Sequence, residues 1–175
     1  RDRRGPLVTK SHLGLALLIF AALFWIALDL LFPRRDASPA RPSTAALALV
    51  VVIFLMSLTG GFVAGIRAGK AYNTFPSMNG YVVPPEIFMI EPWYLNFFNN
   101  MATVQFDHRL GAWLLAFLAP WFWLKLRAAA TSVVAPRVRL AADLLLLALA
   151  AQIALGIATL LLAVPVALGA AHQGG

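Results

Sequence analysis

The sequence predicts an all-α, polytopic membrane protein, with four transmembrane helices and a fifth that begins but is cut short. Two observations lead there. Of 175 residues, 61% are hydrophobic and only 12% are charged, about half the charged share of a water-soluble domain. The apolar residues also come in long runs rather than in the short clusters of a buried core, and mean hydropathy is +0.81.

A helical span needs roughly 20 predominantly apolar residues. The first predicted span runs from about Leu13 to Phe32 and is ended by Pro33, which cannot continue a helix interior. The second runs from about Ala45 to Ile66, the third from about Val104 to Leu126 and the fourth from about Leu140 to Ala163. A further apolar segment opens at Pro165, a favoured first helical position, and the sequence stops at Gly175. Arg1 to Lys10 is polar and lacks an initiator methionine, so no signal peptide is expected and the chain reads as a fragment cut at both ends.

The net charge of +7 would suggest nucleic acid in a soluble protein. Here the cations sit mainly between apolar runs, where they flank spans and meet anionic headgroups, so the expected partner is the lipid bilayer and not nucleic acid. Arg34, Arg35 and Arg41 lie in the first link, and Lys125, Arg127, Arg137 and Arg139 flank the link between the third and fourth spans without an acid among them. The excess of cations puts both links on the cytoplasmic or matrix side. The long second connection, from about Arg67 to Thr103, and the tight turn near Val164–Pro165 then face outward. The tail with Arg1, Arg3, Arg4 and Lys10 also falls outside by alternation, although it is basic. With no cysteine, disulfides, thiolate metal sites and iron–sulfur clusters are excluded from this stretch.

In this topology the first, third and fifth helices run in the same direction, and each carries one histidine near its outer end: His12, His108 and His172. These are all the histidines in the chain. Each is followed closely by glycine, as S-H-L-G, D-H-R-L-G and A-H-Q-G. A single such histidine is readily an interfacial residue with its polar tip among headgroups. Three at matched depth point instead to ligands, because neutral imidazole is a common axial ligand of heme iron and ionisable side chains within spans face a bundle interior. Two on neighbouring parallel helices can clamp one porphyrin within a four-helix bundle.

Other residues suit a flat macrocycle. Gly61, Gly65 and Gly69 recur at intervals of four and smooth one helix face, which serves either helix packing or a cofactor slot. Gln152, Gly156 and Thr159 share one face of an aliphatic helix and read as a packing seam. Arg67, Lys70 and Arg109 are interfacial cations within reach of heme propionates. Asp29 and Asp143 read as solvated boundary residues, and Asp107 as the cap of the third span. A short amphipathic helix is expected around Pro92–Asn100, lying along the outer surface.

Three blocks carry a family resemblance: G-G-F-V-A-G-I-R-A-G-K-A-Y-N-T-F-P-S-M-N-G from Gly60 to Gly80, N-F-F-N-N-M-A-T-V-Q-F-D-H-R from Asn96 to Arg109, and L-G-I-A-T-L-L-L-A-V-P-V-A-L-G-A-A-H-Q from Leu155 to Gln173. Together with S-H-L-G-L-A-L-L, they resemble the heme A synthase family in its cysteine-free proteobacterial and mitochondrial type. The resemblance covers nearly the whole chain. It departs at Asn99, where the family usually has glutamate, so no role is assigned there.

The resemblance implies eight spans in two pseudo-symmetric four-helix halves, and oxidation of a heme O methyl group to the formyl group of heme A for cytochrome oxidase. It places residues 1–43 as an outer segment plus the last helix of the first half, and residues 44–175 as the second half. His108 and His172 would hold a heme b, with Gly61, Gly65 and Arg109 lining its site, and His12 would face the substrate heme. The catalytic groups would lie upstream of Arg1. Expected partners are heme O as substrate, heme O synthase or cytochrome oxidase assembly factors, and a second copy of the chain; the expected location is the bacterial inner membrane or its mitochondrial counterpart. A b-type diheme electron-transfer cytochrome and a non-catalytic membrane bundle remain alternatives, the first sharing the histidine geometry and the second treating it as interfacial.

Overall fold

The computed structural model describes residues 5–31, 43–129 and 136–174. Phe32 and Pro33, the cations Arg34, Arg35 and Arg41 of the first link, the tail arginines Arg1, Arg3 and Arg4, and Gly175 lie outside the described residues, as do the side chains of Lys10 and Arg137.

Helix α1 spans Gly5–Leu31, α2 Thr44–Gly65, the short α3 Asn96–Asn99, α4 Met101–Ala129, α5 Pro136–Leu161 and α6 Val166–Gly174. The long helices pack in sequence, α1 on α2, α2 on α4, α4 on α5 and α5 on α6. Three of the described helices hold segments long and apolar enough to cross a membrane: Gly14–Leu31, Thr44–Gly65 and Val138–Leu161. Around them large apolar side chains face outward, Phe20 being 67% exposed, Phe117 70% and Leu147 66%. Spread over every long helix rather than gathered in one patch, this surface matches a hydrocarbon solvent.

The helices begin earlier than hydropathy predicted, α1 at Gly5 rather than Leu13, α4 at Met101 rather than Val104 and α5 at Pro136 rather than Leu140. Hydropathy reports where lipid begins, whereas the backbone ladder continues through polar interfacial residues at no cost. Asp107 is therefore the seventh residue of α4 and not its cap. The cap is Asn100, whose Oδ1 accepts from the amides of Ala102 at 2.9 Å and Thr103 at 3.4 Å. Toward the inner end the core is aliphatic, with Leu49 of α2 against Leu115 and Ala119 of α4. Asp143, read from sequence as a solvated residue, is 41% exposed but bonded: both its oxygens accept from Arg127 Nη2, at 2.7 and 2.8 Å, and Oδ1 also accepts from Trp123 Nε1 at 2.6 Å.

The connection over residues 67–103 is an ordered cap on one end of the bundle, termed the outer cap. Asn79 and Gly80 both have positive φ and form a two-residue turn, closed by Met78 N to Tyr81 O at 2.7 Å and Tyr81 N to Met78 O at 3.1 Å. The expected surface helix is present as the turn Trp93–Leu95 followed by α3. Its most deeply buried side chain is polar, while Phe97 and Phe98 are half-buried, Phe98 edge-on to Phe62 of α2 with ring centres 5.5 Å apart. Asn96, fully buried, donates to the carbonyls of Ile90 and Trp93 at 2.7 Å each and accepts from Ile90 N and from Asn100 Nδ2 at 2.9 Å each, so its amide is fully paired.

Tyr72 closes the same cap, its hydroxyl donating to Glu86 Oε2 at 2.8 Å. Burial first, then the Glu86 hydrogen bond and charge, push its pKa from the ordinary 10.0 up to about 12. The fold favours the neutral phenol, so this contribution to stability is complete below about pH 10 and disappears as pH rises to about 12. Tyr72→Phe should flatten the fall in melting temperature over that window, measured in detergent. An unchanged alkaline slope would show that Tyr72 does not govern it.

Candidate functional site

Two elements far apart in sequence bring imidazoles together near the end of the bundle that carries the 67–103 connection. His108 lies on α4 and His172 on α6, with ring centres 6.3 Å apart and ring planes at 78°. An imidazole nitrogen binds a metal at about 2 Å and lies about 1 Å from its own ring centre, so two imidazoles on opposite sides of one metal hold their centres about 6 Å apart. The observed distance between ring centres matches that value. Among the described residues, no group of three or more His, Cys, Asp or Glu side chains forms a metal-ion cluster. A pair of imidazoles is a donor set that an iron porphyrin takes.

The surroundings fix each ring. Thr59 Oγ1 of α2 lies 2.9 Å from His108 Nδ1 and donates to Met56 O at 2.7 Å. The neighbouring Gly60 leaves room for the ring, since a Cβ there would stand 3.2 Å from His108 Cε1. On α5, Gly156 does the same for His172, where a Cβ would stand 2.7 Å from Cε1 and 3.0 Å from Nε2. Gln152, one turn earlier, donates to the His172 carbonyl at 2.6 Å and ties α6 to α5. His172 Nδ1 is buried without a hydrogen-bond partner. The stripe Gln152, Gly156 and Thr159 is thus partly a packing seam, with Thr159 Oγ1 returning to Leu155 O at 2.7 Å, and partly the bed of an imidazole.

His12 does not join this pair. It lies on α1, which packs on α2, and its side chain is exposed. The glycines that follow His12 and His108 do open the wall to α2, Gly14 facing Leu58 and Gly111 facing Met56, whereas a Cβ at Gly174 would meet open space. Gly61 is half-buried and Gly65 exposed. The glycine against His108 is Gly60, and Gly61 lies about 100° further around the helix axis. Gly69 faces Val164, whose φ of 60° closes the turn after α5 together with Ala163 at 58°.

Arg109 lies beside His108, but its guanidinium holds the cap. Nη1 donates to Ser77 O at 3.0 Å and Pro76 O at 3.3 Å, and Nη2 to Tyr72 O at 3.0 Å, while Nε is buried without a partner. Gln105, one turn earlier on α4, adds a bond to Tyr72 O at 3.1 Å. Asn73 binds the Leu160 carbonyl at the end of α5 at 2.9 Å. Arg67 and Lys70 are exposed. A cavity of about 210 Å³ on the α2–α4 seam is walled by Thr59, Phe62, Phe97, Phe98, Val104 and Asp107.

Sequence reading missed Thr59, Gly60, Asn96 and Asn100. The signal for Gly60 was present in the doubled glycine, but the four-residue spacing drew attention to Gly61.

The model of the COX15-CtaA family, described as cytochrome oxidase assembly protein, matches residues 1–175. A protein named heme A synthase from Nitrosospira multiformis is 60% identical over 169 residues, covering 94% of this chain and 47% of that protein. Namesakes from Nitrosomonas eutropha and Parvibaculum lavamentivorans are 52% and 46% identical, each over 94% of this chain, and over 47% and 46% of their own lengths. The chain thus spans about half the length of the curated relatives it matches. No solved structure matches it.

Proposed function

The chain belongs to the COX15-CtaA family of cytochrome oxidase assembly proteins, and from that premise we propose that it supplies the heme-binding half of a heme A synthase. The observation that carries the proposal is the His108–His172 pair at 6.3 Å, in a chain 60% identical to a protein of that name. The protein is an integral membrane protein with apolar helices, and the bacterial relatives favour the inner membrane. Residues 44–175 form the second four-helix half, with α4 as a fourth span despite its polar outer turns, and residues 1–43 contribute the last helix of the first half. His12 faces the substrate heme there.

The donor set fits a heme b. Held by two imidazoles, such a heme has no open iron position and supplies one-electron transfer. The chain's own residues do the rest. His108 and His172 would hold the iron, with Gly60 and Gly156 admitting their rings and Gly61 and Gly65 keeping the adjoining α2 face smooth. Arg109 holds the Tyr72–Ser77 strap over the outer edge, with Nε still free to meet a propionate. Heme O is the substrate, and heme O synthase, oxidase assembly factors and a second copy of the chain are the expected partners.

The test is direct. The complete protein, incubated with heme O, should yield heme A on pigment extraction. A b-type spectrum without heme A would leave an electron-transfer cytochrome instead.

A further inference from the structure

We propose that Thr59 is a positioning residue for His108: its hydroxyl oxygen accepts a hydrogen bond from the imidazole Nδ1–H and so leaves Nε2 to face the iron. The inference rests on the reading of His108 as a heme ligand. A hydroxyl carries one proton, and that of Thr59 is committed to Met56 O at 2.7 Å. With the proton directed at Met56 O, the oxygen's lone pair is what faces His108 Nδ1, 2.9 Å away. Nδ1 therefore bears the hydrogen, and the lone pair lies on Nε2. Two further features make the arrangement specific. The bond joins α2 to α4 across 49 residues of sequence, so it fixes the ring against a different helix from its own. Gly60, next to Thr59, seats the same ring at a Cβ-to-Cε1 distance of 3.2 Å, so the hydroxyl and the open wall come from consecutive residues of one helix.

The two imidazoles are then unequal. His172 Nδ1 has no hydrogen-bond partner, whereas His108 Nδ1 has one. An acceptor on the distal nitrogen orients the ring and raises its basicity as a ligand. His108 is thus the stronger donor, and Thr59 stabilises the oxidised iron through it.

Thr59→Val keeps the branched shape but removes the acceptor, and Thr59→Ser keeps the acceptor. In the complete holoprotein, Thr59→Val should weaken heme binding about 10- to 100-fold and shift the heme midpoint potential upward, while Thr59→Ser stays near the parent in both. Should the valine variant not accumulate, Thr59→Ala removes the same acceptor and is read the same way. Parent affinity and potential in the variant lacking the hydroxyl would overturn the role of Thr59 and leave His108 as a ligand. A parent spectrum unaltered by His108→Ala would overturn the ligand reading itself, and this inference with it.

Discussion

Replacing His108 with alanine removes a b-type heme signal from the reduced-minus-oxidised spectrum of the complete protein, and replacing His172 removes the same signal. The reason is geometric. The rings stand 6.3 Å apart, so one iron takes both or loses six-coordination. The Thr59 hydroxyl that touches His108 is a poor iron ligand, and the wall behind His172 is Gly156. Each single variant should lose most of the bound heme, and the double variant should lose no more than either alone, because the ligands act as a unit. An additive loss would mean that the two histidines serve separate centres.

Gly156→Val should lower heme occupancy as far as His172→Ala does. A Cβ at this position would stand 2.7 Å from His172 Cε1 and 3.0 Å from Nε2, well inside contact distance, so the ring must leave its place. The backbone has little freedom to yield, since Gln152 fixes the His172 carbonyl to the same face of α5 at 2.6 Å. The ring swings instead, and its alignment with His108 is lost. Gly156→Ala should lose heme in part. Gly174→Ala, where a Cβ meets open space, should bind heme like the parent. Full occupancy in the valine variant would mean that the His172 ring does not bind where it lies against α5.

The histidines were legible in the sequence because they are the chain's full complement and recur at the starts of alternate spans. Membrane helices of standard length bring such positions to one level, and His108 and His172 meet there. His12 was legible as a third member of the series, but its helix packs on α2 and it stands apart with an exposed side chain. Three of the four predicted spans coincide with segments apolar enough to cross a membrane, whereas hydropathy places the helix starts too late, so that Asp107 falls inside α4 and Asn100 provides the cap. The outer cap was hardest to read. Its order comes from side-chain amides answering backbone groups at long range, as Asn96 does for Ile90 and Asn73 for Leu160. Such pairings leave no periodicity. Arg109 illustrates the limit: a cation beside a ligand reads as a propionate partner, while its terminal nitrogens hold three carbonyls of the cap.

Low-temperature electron paramagnetic resonance of the oxidised, complete protein tests the central claim most directly, because it reports what stands on both sides of the iron. A six-coordinate low-spin heme with two nitrogen axial ligands, whose signal is lost in His172→Ala with only a small high-spin remainder, is the predicted result. A five-coordinate high-spin heme in the parent, or a low-spin signal indifferent to His172, would contradict it.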